Sequence, residues 1–268
     1  MASISLGPDT PGHASSSAVG VGTLCGVTQQ NLISRAATAL WQKRNPGVPL
    51  THPDREIPHL ELGMASGLRY ALIQAKLVIA RKRQMEEQPW LTRDAIELLA
   101  GMLRPTDTGL EFGSGGSTVW LARHVGFVTS VEAFDQWYDP LIARLAEAKL
   151  NNVSLQLVSA EKLGYESEAH REAYINVSPE LTAGSLDFVL VDGEYRDDTA
   201  LRGIELLRSG GLMILDNANT YLPAPSNSPW KVSGPASKKW IQFLDEVSGW
   251  RHIWTTNGAW DTAIWVKP

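Results

Sequence analysis

Apolar residues in the first hundred positions recur at helical spacing, whereas after Thr108 they gather into short runs. Leu68, Leu72, Ala75 and Ile79 form one stripe, with Arg69, Lys76 and Arg83 on the opposite face. Thr28 is placed to cap a helix through about Lys43, and Thr92 to cap RDAIELLAGML. The segment KRNPGVPLTHPDREIPH between the first two helices carries four prolines and reads as an irregular crossing. From Thr108 the runs predict strands at Gly109 to Phe112, Phe127 to Glu132, Val153 to Val158, Leu186 to Asp192 and Leu212 to Asp216. Helices are expected near Ser117 to His124, Tyr138 to Leu150 and Asp197 to Arg208. Such alternation specifies a parallel sheet with right-handed crossovers. After Asp216 the rhythm breaks into a Pro-rich loop, a helix through about Val247, and WRHIWTT and WDTAIWVKP around an Asn-Gly turn, which is an antiparallel hairpin.

Composition narrows the class. The chain has 268 residues, 43% of them hydrophobic and 20% charged, enough for one large α/β core with an appendage. A formal net charge of -5 gives no general attraction to nucleic acid or an anionic membrane, so neither is an expected partner. Cys25 is the single cysteine, which excludes an internal disulfide and agrees with a reducing, cytoplasmic setting. Zinc spacings of the CxxC or HxxxH kind are missing. The first 26 residues lack a basic stretch followed by an apolar core and read as a flexible tail rather than a secretory signal. The most apolar helix, Leu68 to Ala80, is too short and too charged to span a bilayer.

The stretch GLEFGSGGSTVW, Gly109 to Trp120, sets three glycines where a strand passes into a helix, leaving main-chain N–H groups open to a ligand. The dinucleotide fingerprint GxGxxG requires glycine at position 118, which is Thr118, and the phosphate loop GxxxxGK[ST] is missing. Glu111 discriminates further, since an acid there repels a pyrophosphate and suits a cation. S-adenosylmethionine is such a ligand, carrying a sulfonium and an ammonium and no phosphate.

Glu111-x-Gly113-x-Gly115-x-Ser117, Glu132 closing the next strand, LDFVLVDG, LLRSGGLMILDN and the terminal hairpin together resemble class I S-adenosylmethionine-dependent methyltransferases, in particular small-molecule enzymes with an FGSGxSTxW segment. The resemblance covers about Trp90 to Pro268. It implies a Rossmann-like seven-stranded mixed sheet of order 3-2-1-4-5-7-6, its last strand antiparallel, preceded by an N-terminal helical extension. The expected divisions are a tail over 1–26, a helical cap or lid over 27–89, and a cofactor-binding domain over 90–268. The resemblance also implies that Gly113, Ser114 and Gly115, with Glu111 and Ser117, cradle the methionine end. Glu132, followed by Ala133, would take the ribose hydroxyls, and Ser159, Ala160 and Glu161 would lie by the adenine. Glu132 has independent support: it stands 21 residues after Glu111, where a strand-end carboxylate can accept both hydroxyl protons.

Methyl transfer is an in-line displacement at an activated carbon, so the protein aligns the nucleophile and manages its proton. The acids at the ends of strands four and five, Asp192 and Asp216, are therefore catalytic candidates, with Tyr195 and Arg196 placed to contact the acceptor or to form a solvated rim. Asp192, Asp216 and Asn217 supply hard oxygen ligands that suit Mg2+ or Ca2+. The arrangement resembles the magnesium site of catechol-type O-methyltransferases; the alternative is a pair of hydrogen-bonding acids beside cofactor and acceptor. Where that family has a basic lysine, this chain has Tyr195, so the lysine mechanism does not carry over. His170 sits in an extended, charged connection and reads as inert. Six of the ten tryptophans lie from Trp230 onward, and Trp230 with Tyr221 could wall a flat acceptor. The function expected is methylation of a small-molecule hydroxyl by a cytoplasmic enzyme that could form a homodimer. An N-methyltransferase or a peptide or protein methyltransferase would share every cofactor residue; an NAD-dependent oxidoreductase or a silent binding module is the more distant alternative.

Overall fold

Strand residues on alternate positions face opposite layers, and this period of two organises the molecule. A computed structural model describes residues 88–228 and 230–268 of the chain. The sheet comprises β1 (Thr108–Phe112), β2 (Phe127–Glu132), β3 (Val153–Leu157), β4 (Leu186–Val191), β5 (Leu207–Asp216), β6 (Arg251–Thr256) and β7 (Asp261–Val266). Its order is β3-β2-β1-β4-β5-β7-β6, as expected. Strands β1 to β5 pair in parallel, while β7 runs antiparallel to both β5 and β6. Expected features at Thr28 to Lys43, Cys25, Leu68 to Ala80 and Arg83 lie outside the described residues.

Seven α-helices are described: α1 (Arg93–Met102), α2 (Gly116–His124), α3 (Asp135–Glu147), α4 (Ala160–Leu163), α5 (Glu168–Ile175), α6 (Arg196–Leu206) and α7 (Lys238–Glu246). Val189, Val191, Met213, Leu215 and Trp265 enter one core layer with Tyr174, Trp240 and Phe243. Their neighbours Phe188, Leu190, Leu212, Ile214 and Ile264 enter the other, with Leu99, Trp120 and Leu121. β4, the near-continuous apolar run LDFVLV, is covered on both faces, as a central parallel strand must be. Thr92 caps α1 by accepting from Ala95 N and donates its own N–H to Thr262 Oγ1 at 3.0 Å, which ties α1 to β7. Among the described residues no helix is long and apolar enough to cross a membrane.

Three differences from the sequence reading have physical causes. The connection after β3 is not extended: Ser159 and Ser167 accept hydrogen bonds from Lys162 N and His170 N and start α4 and α5. α3 begins at Asp135, a turn earlier than expected, and contains Pro140 at the cost of one backbone hydrogen bond. β5 begins at Leu207, which pairs with Leu186 before a register shift at Arg208 to Gly211, where Gly210 takes φ 79°.

Candidate active site at the carboxyl edge of the sheet

Strands β1, β2, β4 and β5 end together, and the first of these leads into the glycine loop. Gly113 adopts φ 94°, and a Cβ there would lie 2.6 Å from Gly193 N and 2.8 Å from the Asp192 carbonyl carbon. Gly113 is thus required for the close approach of the β1 and β4 ends. A Cβ on Gly115 would meet no protein atom within 4 Å, so the bare side of the loop faces open space just before α2.

Below the loop Glu111 is fully buried. Its Oε2 accepts from Thr118 Oγ1 at 2.6 Å and from Ser130 Oγ at 2.5 Å, and Thr118 Oγ1 in turn accepts from Gly115 N at 2.9 Å. Glu111 Oε1 has no hydrogen-bond partner. Burial pushes this carboxyl up to about 7, against the pull of the Ser117, Ser130 and Thr118 hydroxyls, while Asp192 adds to the rise. Asp216 is likewise pushed up to about 7, by burial first and then by Asp192. Both acids have folded-state pKa values above their unfolded ones, so their stabilising contribution is complete below pH about 4 and is lost as pH rises through 7. Melting temperature should therefore fall between pH 4.5 and 7.5, and Glu111→Gln should flatten that slope; an unchanged slope in the variant would remove Glu111 as its source.

Glu132 closes β2 and is 5% exposed. Its Oε1 accepts from Ala133 N at 2.8 Å and Phe134 N at 2.9 Å, and its Oε2 from Ser114 Oγ at 2.6 Å. Burial raises its pKa, opposed by these same donors. The structure thus brings together Ser114 and Glu132, which sequence placed 18 residues apart. Ser117, Ser159 and Ala160 are also buried here, Ala160 N donating to Ala133 O at 2.8 Å, whereas Glu161 turns to solvent. Ser159 donates to the Asp135 carboxylate. Phe134 and Tyr165, with ring centroids 5.8 Å apart, flank this end, and Tyr165 donates to Glu194 Oε2 at 3.1 Å. No sequence motif pointed to Phe134, Tyr165 or Glu194.

The four catalytic candidates separate. Tyr195 is not a rim residue: it is 5% exposed, sits at φ 47°, and turns its hydroxyl to His170 Nδ1 at 2.7 Å. His170, expected to be inert at the surface, is fully buried, with Nε2 3.0 Å from Val158 O. A carbonyl only accepts, so Nε2 carries the proton and Nδ1 accepts from Tyr195. Burial lowers the His170 pKa and keeps that neutral tautomer.

Arg196 is also buried rather than rim-exposed, and it sits inside the trio expected to hold a metal. Its Nε donates to Gly193 O at 3.0 Å, Nη1 to Asp216 O at 2.7 Å and Asn217 Oδ1 at 3.4 Å, and Nη2 to Asp192 O at 2.7 Å and Asp192 Oδ1 at 2.8 Å. Asp216 accepts from Thr262 Oγ1 and from Asn217 Nδ2, both at 2.8 Å, and is 3% exposed. Asp192 Oδ1, Asn217 Oδ1 and both Asp216 carboxylate oxygens are therefore engaged by protein donors beside a guanidinium, and the residues do not fit a metal. Among the described residues no group of three His, Cys, Asp or Glu side chains could hold one. Asp192, with 21% of its side chain exposed, is the one of the four that reaches solvent.

Tyr221 does not wall the acceptor side either; it is buried against Trp240 at 5.2 Å and beneath Arg196 at 5.7 Å. Trp230 instead stacks on Trp260, the rings 6.2 Å apart and within 6° of parallel. Because Thr262 pairs with Asp216, the β6–β7 turn bearing Trp260 lies at the same carboxyl edge.

No family model matches the chain, and no curated protein matches it. Among solved structures, the chain is similar to a methyltransferase-like protein from Silicibacter pomeroyi, with 22% identity, 69% of this chain and 91% of that one covered, and a TM-score of 0.46. It is similar to a methyltransferase from Geobacter sulfurreducens, at 15% identity, coverage of 87% and 96%, and a TM-score of 0.46. An rRNA methylase from Streptococcus thermophilus aligns at 14% identity, 67% and 99% coverage, and a TM-score of 0.41.

Proposed function

We propose that this chain is an S-adenosylmethionine-dependent methyltransferase that acts on a hydroxyl of a small, flat acceptor. The observation that carries the reading is Glu132, a strand-end carboxylate oriented by two backbone N–H groups and set 2.6 Å from the hydroxyl of the glycine loop. That geometry suits a ribose diol, and the open face of Gly115 suits the amino-acid end. The strand-end carboxyl of Glu132 favours a cationic sulfonium ligand and disfavours a pyrophosphate, while Glu111 supports the loop from below. Thr118, fully buried and bonded to Glu111, occupies the position where a dinucleotide fold needs glycine, so the oxidoreductase alternative loses its packing contact.

When bound, the cofactor supplies a methyl carbon already activated by its positive sulfur. Held at Glu132 and the Gly113–Gly115 loop, it would give that methyl to the acceptor oxygen, the electrons of the broken carbon–sulfur bond staying on sulfur. Asp192 accepts the acceptor proton, as the reachable carboxylate at the β4 end. Trp230 and Trp260 present a parallel aromatic rim against which a flat acceptor packs. Calorimetry with the cofactor tests the assignment. Glu132→Ala should weaken binding by at least about tenfold, equivalent to about 1.4 kcal/mol. Unchanged affinity in the variant, or tight binding of NAD by the wild type, would overturn it. Product analysis with hydroxyl, amine and peptide acceptors separates O-methylation from the N- and peptide-directed alternatives, and turnover with any of them excludes a silent binding module.

A further inference from the structure

Asp192, Asp216 and Asn217 carry the oxygens that a hard divalent cation takes, yet a guanidinium stands between them. We propose that Arg196 is a built-in cation occupying what would otherwise be a divalent-metal site between β4 and β5, so that the native chain holds no metal there and removal of the guanidinium uncovers one.

The hydrogen-bond census carries this inference. Nε, Nη1 and Nη2 of Arg196 reach five acceptors: the carbonyls of Gly193, Asp216 and Asp192, and the side-chain oxygens of Asn217 and Asp192. A guanidinium has five N–H donors and no acceptor, so the planar fork is fully used. The amide of Asn217 reads the same way from both sides, its oxygen towards Arg196 and its nitrogen 2.8 Å from Asp216 Oδ2. Thr262 Oγ1 donates to Asp216 Oδ1 at 2.8 Å. An incoming cation would have to displace these donors and would meet the guanidinium's charge at short range in a poorly screened interior. Mg2+ in particular keeps several waters, and Asp216, 3% exposed, presents almost no surface to solvent. Arginine never loses its proton in proteins, so the resident charge persists at every working pH. Lysine would not reproduce it, because a point charge with three donors cannot span five acceptors on two strands.

The inference does not depend on methyl transfer, and its test reads metal directly. Mn2+ is titrated into the full chain at pH 7.5 and free ion is followed by electron paramagnetic resonance. Wild type should leave the free-ion signal undiminished, while Arg196→Ala and Arg196→Ser should bind Mn2+ at least about tenfold more tightly, through the Asp192 and Asn217 oxygens they release, beside Asp216 and without the guanidinium's charge. Adding Asp216→Asn to either variant should abolish the gain. Wild-type binding that Asp216→Asn abolishes would overturn the proposal, as would a folded Arg196 variant that gains no Mn2+ affinity. Circular dichroism identifies a variant that fails to fold; in that event the wild-type and Asp216→Asn titrations alone decide, silence supporting the built-in cation and Asp216-dependent binding refuting it.

Discussion

Gly113→Ala should lose folding stability of about 3 kcal/mol or more, the sum of left-handed backbone strain and forced overpacking. The residue sits at φ 94°, and the added Cβ would come 2.6 Å from Gly193 N and 2.7 Å from Gly193 Cα. Both obstacles are main chain, so no rotamer change relieves them. At roughly 2–4 °C per kcal/mol for a protein of this size, the melting temperature should fall by about 6–12 °C. Gly115→Ala is the control: with no atom within 4 Å of its Cβ, it should leave stability nearly unchanged and weaken only the cofactor. A Gly113→Ala protein that melts with the wild type would show that the β1 and β4 ends can separate at little cost.

Asp192→Asn should lower turnover by about 10²–10⁴, the usual worth of a positioned general base. The substitution is nearly isosteric, and an amide oxygen can still accept the Arg196 Nη2 donor now at 2.8 Å from Asp192 Oδ1. The fold and the clamp should survive, and cofactor affinity should stay within a few-fold of wild type, so the loss appears in kcat. Turnover retained in Asp192→Asn would assign proton removal to solvent or to the acceptor itself.

The architecture was legible because burial on both faces writes itself into continuous apolar runs such as LDFVLV, and because turns and caps punctuate them. The strand order did not come from those runs; the family resemblance implied it, and the sheet has that order. Strand-end acids were equally legible as positions; what they touch was not. Arg196 follows Tyr195 in a segment that reads as polar and solvated, and nothing local shows that its side chain runs back beneath two strand ends separated from each other by 24 residues of sequence, Asp192 to Asp216. His170 was misread for the same reason. Its partners Val158 and Tyr195 lie 12 and 25 residues away, and a charged helix surface hid the one face that packs inward. Composition predicts exposure only on average, whereas a single buried polar contact is decided by topology.

The Trp230–Trp260 stack joins the loop after β5 to the β6–β7 turn, and neither tryptophan contributes to the glycine loop or to the guanidinium clamp. Under the proposed function, acceptor choice is therefore separable from the half of the site built on the glycine loop and Glu132. On that reading, exchanging Trp230 and Trp260 would offer a route to bulkier or smaller nucleophiles while leaving the loop and the clamp untouched.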